Sequence, residues 1–463
     1  MSLTTNMKLL DLPPEVFQRI VGVLVKKHGL MAAWKVRGTS KAFKSYITYE
    51  VLATPSLYAY NKTRAGREIL KHKLADFLYT RSIKLNGFVR AHVPEFIRDV
   101  MRAMEPWITG DEAASTLRRT LCRLFVRNYY DALKVVLTDV TKLHINHLNV
   151  IVASDKVNLI AAAAVTGNIE ALRATAARSR NSLWTKSPAF GYPLDVALYA
   201  KNFDIVKAIA QQAITDQNET IINLDQDRRP EAEHLSFRQA ICTCIELQRR
   251  DMFAYLLEKY VDAFGLPREA CMADWLNKAV TYGRKYMLCL LIRFPNQAGI
   301  STSYKAFETA CRLSKVSLLE LFFTSVPTSP ARLSVNQVYQ STNGPYSSTY
   351  PLMTAIQFAK PQHRRCIVKK LLELGADPNG PKYLAGLARP LQFGMYFDYA
   401  NSILPLLEAG ANPRLINDAG WTKAQRSKYG KVTVIGKALR VALKSHKKFK
   451  PTKGVKNFLA EVE

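Results

Sequence analysis

The stretch Leu371-Leu372-Glu373-Leu374-Gly375-Ala376-Asp377-Pro378-Asn379 combines the end of a helix with a tight turn. Its two leading leucines end a run of apolar residues at helical spacing that begins at Ile367. Gly375 stands where a helix needs a residue in the left-handed conformation to close its last turn. The final three residues are typical of turns, so the chain is expected to reverse direction there.

A partner helix is predicted upstream of this stretch. Leu352 lies 19 residues before Leu371, and Pro351 suits the first position of a helix because its missing N–H would be unpaired there. The unit of helix, turn, helix and sharp turn resembles an ankyrin repeat, whose pattern runs Thr-Pro-Leu-His, small residues, Leu-Leu and Gly-Ala-Asp-Pro-Asn. The resemblance implies an all-α stack of helix pairs that binds other proteins through its turn tips and inner helices.

Similar units recur along residues 155–440, where the sequence predicts about eight degenerate repeats. The first-helix anchors are Ile160, Leu194, Ile241, Leu276, Phe307, Leu352, Leu391 and Ala424. Four of the seven steps between them lie within two residues of the ankyrin period of about 33. The longer steps contain polar inserts at 215–229 and 327–349, which are expected to be extended turns.

A small residue stands three positions after most anchors, where two helices of one pair pack closely. These residues are Ala163, Ala197, Cys244, Ala279, Ala310 and Ala355. Cys242 and Cys244 are therefore expected to pack in the core rather than bind zinc, since no second pair stands at zinc spacing. The Thr and His of the ankyrin pattern are replaced, by Tyr350 and Met353 in one unit, so the inter-repeat hydrogen bonds of those residues are expected to be missing.

Residues 9–50 form a second recognisable block of three short helices, interrupted at Gly29. The order Leu-Pro-x-Glu, Ile20, Leu24 and later Phe43 resembles an F-box, which implies docking on the Skp-type linker subunit of a cullin-RING ubiquitin ligase. The implied docking face is Leu12, Pro13, Pro14, Glu15, Phe17, Ile20, Leu24 and Trp34. The segment Val25–Leu30 departs from the F-box pattern, and a helical cap over the first repeat is the alternative. A docking face leaves Ile20 and Leu24 exposed, whereas a cap buries them.

The other two segments carry no family motif. Residues 54–150 are predicted to be a helical connector with basic faces. The tail, 441–463, is expected to be a nuclear localisation signal, a contact for an acidic partner, or a solvated end. Its lysines are Lys444, Lys447, Lys448, Lys450, Lys453 and Lys456.

Composition bounds the location and the partners. The chain has 463 residues and a net charge of +29, and residues 420–463 hold 12 basic and 2 acidic residues. Such a charge favours acidic protein surfaces or polyanions. Seven cysteines, an odd number, suit reduced thiols in the cytoplasm or nucleus. No apolar run is long enough for a membrane span, and a secretory signal is not expected.

No catalytic, cofactor-binding or metal-binding motif is present in the sequence. Phosphate-binding and dinucleotide-binding glycine loops and the nucleophile elbow are absent, and the eight histidines are dispersed, with His144 and His147 three apart. A non-enzymatic function is therefore predicted.

The sequence favours an adaptor in which the F-box-like module docks a ligase and the array holds a protein substrate, with an acidic surface suiting the charge. A plain ankyrin scaffold and a basic nuclear protein that contacts nucleic acid are the alternatives. Candidate substrate-contact tips are Trp184, Tyr192, Tyr346, Tyr350, Tyr383, Arg389, Arg414 and Trp421.

Overall fold

The structure of the protein is a computed structural model. The structure describes residues 12–83, 92–129, 131–137, 155–177, 183–222, 231–294, 299–324, 332–340, 348–381, 389–417, 434–446 and 453–460. These residues are mostly helical, which confirms the predicted all-α class.

The described helices before residue 240 are α1 (Pro14–Val36), α2 (Lys41–Ala53), α3 (Leu57–Asn61), α4 (Arg64–Ile83), α5 (His92–Met104), α6 (Asp111–Asn128), α7 (Ala132–Leu137), α8 (Asp155–Thr166), α9 (Ile169–Ala176), α10 (Pro193–Ala200) and α11 (Phe203–Ile222). A short 3₁₀ helix, Glu105–Trp107, follows α5. The next helix, α12 (Glu231–Leu247), contains the division between two compact units, Met1–Ala240 and Ile241–Glu463.

The helices of the second unit are α13 (Arg250–Phe264), α14 (Glu269–Thr281), α15 (Lys285–Arg293), α16 (Ile300–Arg312), α17 (Val316–Leu319), α18 (Leu321–Thr324), α19 (Pro351–Phe358), α20 (Pro361–Glu373), α21 (Pro390–Tyr396), α22 (Ala400–Glu408), α23 (Val434–Ser445) and α24 (Lys453–Ala460). Two short strands, β1 (Tyr339–Gln340) and β2 (Ser348–Thr349), pair in antiparallel register, with Tyr339 opposite Thr349. A 3₁₀ helix spans Pro413–Leu415.

The N-terminal helices pack as a small module. The predicted interruption at Gly29 is confirmed, because this residue has φ 81° and ψ 167° inside α1. The Ser40 hydroxyl caps α2 by accepting a hydrogen bond from the N–H of Phe43. The ring of Phe17 lies in the core, with centroids 5.1 Å from Phe43 and 4.9 Å from Tyr46.

The connector helices join this module to the first helix pair of the array. Helix α4 packs on α2, α5 and α6, and α5 and α6 pack on α8. The rings of Phe96 and Phe190 stack at 5.7 Å, and the side-chain amide of Asn128 donates to the carbonyl of Phe190 at 2.6 Å. The apolar flank of α8 is therefore covered by the connector.

Seven helix pairs follow one another in the described residues: α8 with α9, α10 with α11, α12 with α13, α14 with α15, α16 with α17 and α18, α19 with α20, and α21 with α22. In the second unit the first helices α14, α16, α19 and α21 contact one another in series, as do the second helices. Seven of the eight predicted anchors lie in first helices and are at most 3% exposed. The eighth, Ala424, lies outside the described residues.

The turn inside most pairs has the same backbone form. A residue with φ between 58° and 78° closes the first helix, and these residues are Gly167, Lys201, Gln248, Gly283, Ser314 and Asp398. In five of these turns the next residue donates its N–H to the carbonyl of Ala197, Cys244, Ala279, Ala310 or Gly394. Four of these acceptors are predicted small residues, so close packing and turn closure meet at one position.

Helices α20 and α22 end as the stretch Leu371–Asn379 predicts. Gly375 has φ 89° and donates its N–H to the carbonyl of Leu372, and Ala376 donates to that of Leu371. Gly410 and Ala411 repeat both bonds at the end of α22. The carboxylate of Asp377 then accepts from the N–H of Asn379 at 2.8 Å, which tightens the turn.

The expectation of an extended turn at the first insert needs correction over residues 215–222. Residues 215–222 continue α11 as a helix and do not form an extended turn, because that helix runs to Ile222. In the second insert the described residues carry β1 and β2, which pair with each other. A similar backbone pairing, between Ser187 and Gly191, precedes α10.

Candidate interaction surfaces

Helix α1 has two apolar faces, and only one of them is covered. Phe17, Val21 and Val25 are at most 5% exposed and face the core of the module. Val16, Ile20 and Val23 are 43%, 39% and 61% exposed and repeat at four- and three-residue spacing. We call this row the α1 stripe.

The side chains that surround the α1 stripe include a half-buried leucine and several exposed basic residues. Leu24 is half-buried beside it, and the exposed side chains of Arg19, Lys26 and Lys27 make its rim basic. An apolar row with a polar rim is typical of a protein interaction site.

The predicted docking residues divide between this surface and the core. Pro13, Pro14, Glu15 and Ile20 are exposed, and Leu12, Leu24 and Trp34 are half-buried, with the guanidinium of Arg37 3.6 Å above the indole of Trp34. Phe17 was expected on the docking face and lies in the core instead, because its ring fills the space between α1 and α2. Val23, which the resemblance does not single out, is the most exposed member of the stripe.

The predicted contact tips also separate into groups. Trp184 and Tyr350 were expected on exposed tips and are in the core, at 1% and 3% exposed. The ring nitrogen of Trp184 donates to the carboxylate of Asp216 at 3.3 Å. Burial raises the pKa of the Tyr350 hydroxyl above its ordinary value.

The other predicted tips are half-buried or undescribed. Tyr192, Arg389 and Arg414 are half-buried. The guanidinium of Arg414 donates through Nη2 to the carbonyl of Leu443 at 3.1 Å and so caps the end of α23. The tips that lie outside the described residues are Tyr346, Tyr383 and Trp421.

The basic tail is described only in part. Lys444 is exposed near the end of α23, and Lys453 and Lys456 are exposed on α24. Lys447, Lys448 and Lys450 lie outside the described residues, as do His144 and His147.

Hydrogen bonds from asparagine side chains connect neighbouring helix pairs, in place of the bonds that Thr and His make in the ankyrin pattern. The side-chain oxygen of Asn379 accepts from the N–H of Asn412 at 2.7 Å, and that of Asn336 accepts from the N–H of Asp377 at 2.8 Å. The prediction concerned only the bonds of the replaced Thr and His, and asparagines at the sharp turns supply other bonds between neighbouring pairs.

The described residues contain no group of three His, Cys, Asp or Glu side chains placed to share a metal ion. Cys242 and Cys244 are both buried, as predicted.

A cavity of about 320 Å³ lies between α9 and α11, lined mainly by apolar side chains that include Leu172 and Ile209. Among the described helices, none is both long and apolar enough to cross a membrane.

No protein-family model matches the chain, and no curated protein matches it.

Proposed function

We propose that this chain is a non-catalytic adaptor of the F-box and ankyrin type. The N-terminal module would dock the Skp-type linker subunit of a cullin-RING ubiquitin ligase, and the helix-pair array would bind a protein substrate. The observation that carries the proposal is the exposed α1 stripe on a module whose other apolar face is already packed.

The packing of the connector supports docking over capping. A cap is needed where the apolar flank of a terminal repeat would meet water. That flank, on α8, is in contact with α5 and α6, and the main partner of α1 is α2. The α1 stripe is therefore accessible to a second protein.

The array supports the second half of the proposal. Seven described helix pairs with buried anchors, the closing glycines at Gly375 and Gly410, and the strand pair before α19 agree with the ankyrin pattern. Stacked helix pairs present side chains at regular intervals over a long surface, which suits the recognition of another protein.

The test is binding of the full chain to a purified Skp-type subunit. The double variant Ile20→Asp, Val23→Asp should weaken binding by at least about tenfold, because two charges would enter an apolar interface. Val434→Asp, Val441→Asp is the matched control, since these valines of α23 are 68% and 69% exposed. Its affinity should stay within about twofold of that of the natural chain.

Absence of binding by the natural chain would refute the ligase half of the proposal and leave the scaffold function. Equal losses in both double variants would show that the α1 stripe is not the docking face.

A further inference from the structure

The turns inside the helix pairs of the second unit form a second surface. Each turn runs from the last residue of a first helix to the first residue of its partner. The five turns are residues 247–250, 281–285, 312–316, 358–361 and 396–400. We call them together the turn ridge.

Side-chain contacts connect the turns of the ridge in order. The Nη1 of Arg284 donates to the side-chain oxygen of Gln248 at 2.8 Å, which joins the first two turns. The ammonium of Lys315 lies 3.7 Å from the position that a side chain on Gly283 would occupy. The guanidinium of Arg312 lies 5.3 Å from the ring centre of Phe358. The side-chain amide of Asn401, one residue past the last turn, donates to the carbonyl of Pro361 at 2.8 Å.

The charge of the turn ridge is strongly one-sided. It contains seven basic residues and one acidic residue, Asp398. The basic residues are Arg249, Arg250, Arg284, Lys285, Arg312, Lys315 and Lys360. Four of them, Arg250, Lys285, Arg312 and Lys360, are exposed.

These four exposed cations are not neutralised within the part of the chain that the structure describes. No carboxylate there lies within ion-pair distance of them, whereas Lys278 is 2.7 Å from Glu246 and Lys370 is 3.1 Å from Glu320. A row of unneutralised cations produces a positive potential that attracts an acidic partner.

Exposed aromatic side chains distinguish between the possible acidic partners. Tyr282 and Tyr286 are 42% and 45% exposed. The guanidinium of Arg284 and the ammonium of Lys278 lie over the ring of Tyr282, and Arg250 lies over Tyr286, at 5.4 to 5.9 Å. Binding of single-stranded nucleic acid depends on bases that stack on open aromatic faces. Cations already lie over these rings, so the ridge suits carboxylates better than bases.

The last turn differs from the others. Tyr396 and Phe397 are 43% and 44% exposed, and the turn carries no basic residue. Five turns about 10 Å apart span roughly 40 Å, the length of about 12 residues in extended form. The last turn would therefore accept an apolar side chain at one end of a bound segment.

We infer that the turn ridge binds an acidic polypeptide segment that ends in an apolar or aromatic residue. The ridge lies along the turns inside the helix pairs, whereas the predicted contact tips lie between successive pairs. Its role as the place where a ligase substrate binds rests on the proposed function, but binding of the segment does not.

The experiment measures fluorescence anisotropy of a labelled peptide of about 12 residues, rich in Glu with Phe at one end, titrated with the full chain. A peptide with Gln in place of Glu and an oligothymidylate of similar length are the comparison probes. The ridge variants are Arg250→Glu, Lys285→Glu and, separately, Arg312→Glu, Lys360→Glu.

The matched control is Arg293→Glu, Lys437→Glu, which changes the net charge equally at two exposed positions outside the ridge. Circular dichroism and thermal midpoints check that each variant is folded. If one ridge variant does not fold, the other still tests the inference.

Both ridge variants should bind the Glu peptide at least about tenfold more weakly, and the control should lose less than about threefold. Affinity for the Glu peptide should also fall with added salt. No binding by the natural chain, or an equal loss in the control, would overturn the inference. So would tighter, ridge-dependent binding of the oligothymidylate, which would identify nucleic acid as the partner. The peptide-binding assay contains no ligase subunit. A negative result in it is therefore distinct from a negative result in the binding test with the Skp-type subunit.

Discussion

Asn379 joins two successive sharp turns of the array through one side chain. Its own N–H donates to the carboxylate of Asp377, and its side-chain oxygen accepts from the N–H of Asn412, 33 residues further on. Asn336 forms the equivalent bond to Asp377 and also donates to the carbonyl of Gly375 at 2.9 Å. These bonds matter because they satisfy backbone groups that the turn leaves without partners.

Replacement of Asn379 by Ala should lower the free energy of unfolding by about 1 to 2 kcal/mol, because the N–H of Asn412 would lose its acceptor. Asn412 is 4% exposed, so water has little access to replace the lost bond. Urea unfolding of the full chain measures the change. Gln362→Ala, at an exposed position of α20, is the control. If the free energy of unfolding falls no more than in the control, the hydrogen bond between Asn379 and Asn412 contributes little to stability.

The cysteines differ in reactivity because they differ in burial. Cys366 is exposed on α20, whereas Cys122 is fully buried in α6 and burial raises the pKa of its thiol to about 12. The thiolate is the reactive form, so Cys122 should stay unreactive at pH 8 while the chain is folded. A thiol reagent such as Ellman's should show a fast phase that Cys366→Ser removes and Cys122→Ser leaves intact. Loss of the fast phase in Cys122→Ser would contradict this prediction.

At the scale of elements, the turns inside the helix pairs serve both closure and stacking. Arg284, in the turn between α14 and α15, donates through Nε to the carbonyl of Ile245 at 3.0 Å and through Nη2 to that of Glu246 at 2.7 Å. These carbonyls belong to the last turn of α12, where that of Ile245 otherwise accepts only a long bond from the N–H of Gln248 at 3.4 Å. Asn202 does the same in the first unit, at the carbonyls of Ala164 and Val165. One turn residue therefore caps the helix of the preceding pair.

Arg284→Ala should destabilise the protein by about 2 kcal/mol, since both carbonyls and the side chain of Gln248 lose a donor. Arg284→Lys should recover only part of this, because an ammonium lacks the planar fork of the guanidinium. Thermal unfolding followed by circular dichroism measures the effect. The neighbouring exposed substitution Lys285→Ala should cost less than about 0.5 kcal/mol. Equal costs for the two positions would argue against the capping role.

At the scale of the whole molecule, several buried tyrosines make stability depend on alkaline pH. Burial raises the pKa of Tyr60, Tyr304 and Tyr350 above the ordinary value of about 10. Above that pH the unfolded chain loses these protons while the folded chain keeps them. The contribution to stability is therefore complete below about pH 10 and is lost as the pH rises toward the folded-state pKa values.

The free energy of unfolding should consequently fall above pH 10, by about 1.4 kcal/mol per pH unit for each such tyrosine. Tyr350→Phe should reduce that slope by the contribution of one tyrosine, about 1.4 kcal/mol per pH unit, because phenylalanine has no hydroxyl to ionise. Tyr58→Phe, at a residue that is 72% exposed, should leave the slope unchanged. Unfolding curves in urea between pH 9 and pH 11 compare the three proteins, and an unchanged slope in Tyr350→Phe would contradict the prediction.

Features that depend on neighbours in the chain were predictable from the order of the residues. Helical spacing of apolar residues located the seven described anchors, and Gly29 and Gly375 marked where the backbone takes positive φ. Such features are readable because periodicity and the steric freedom of glycine act within a few residues.

Which apolar surfaces remain exposed depends on tertiary packing. Helix α1 carries apolar residues at helical spacing on two faces, and the packing of α2 covers Phe17 and leaves Ile20 and Val23 exposed. The tips Trp184 and Tyr350 became core for the same reason, as neighbouring elements cover them. The turn ridge joins residues more than 100 positions apart, such as Gln248 and Tyr396, so no local pattern predicts it. Which of two apolar faces is buried depends on packing between distant segments, and a pattern of a few residues does not reveal it.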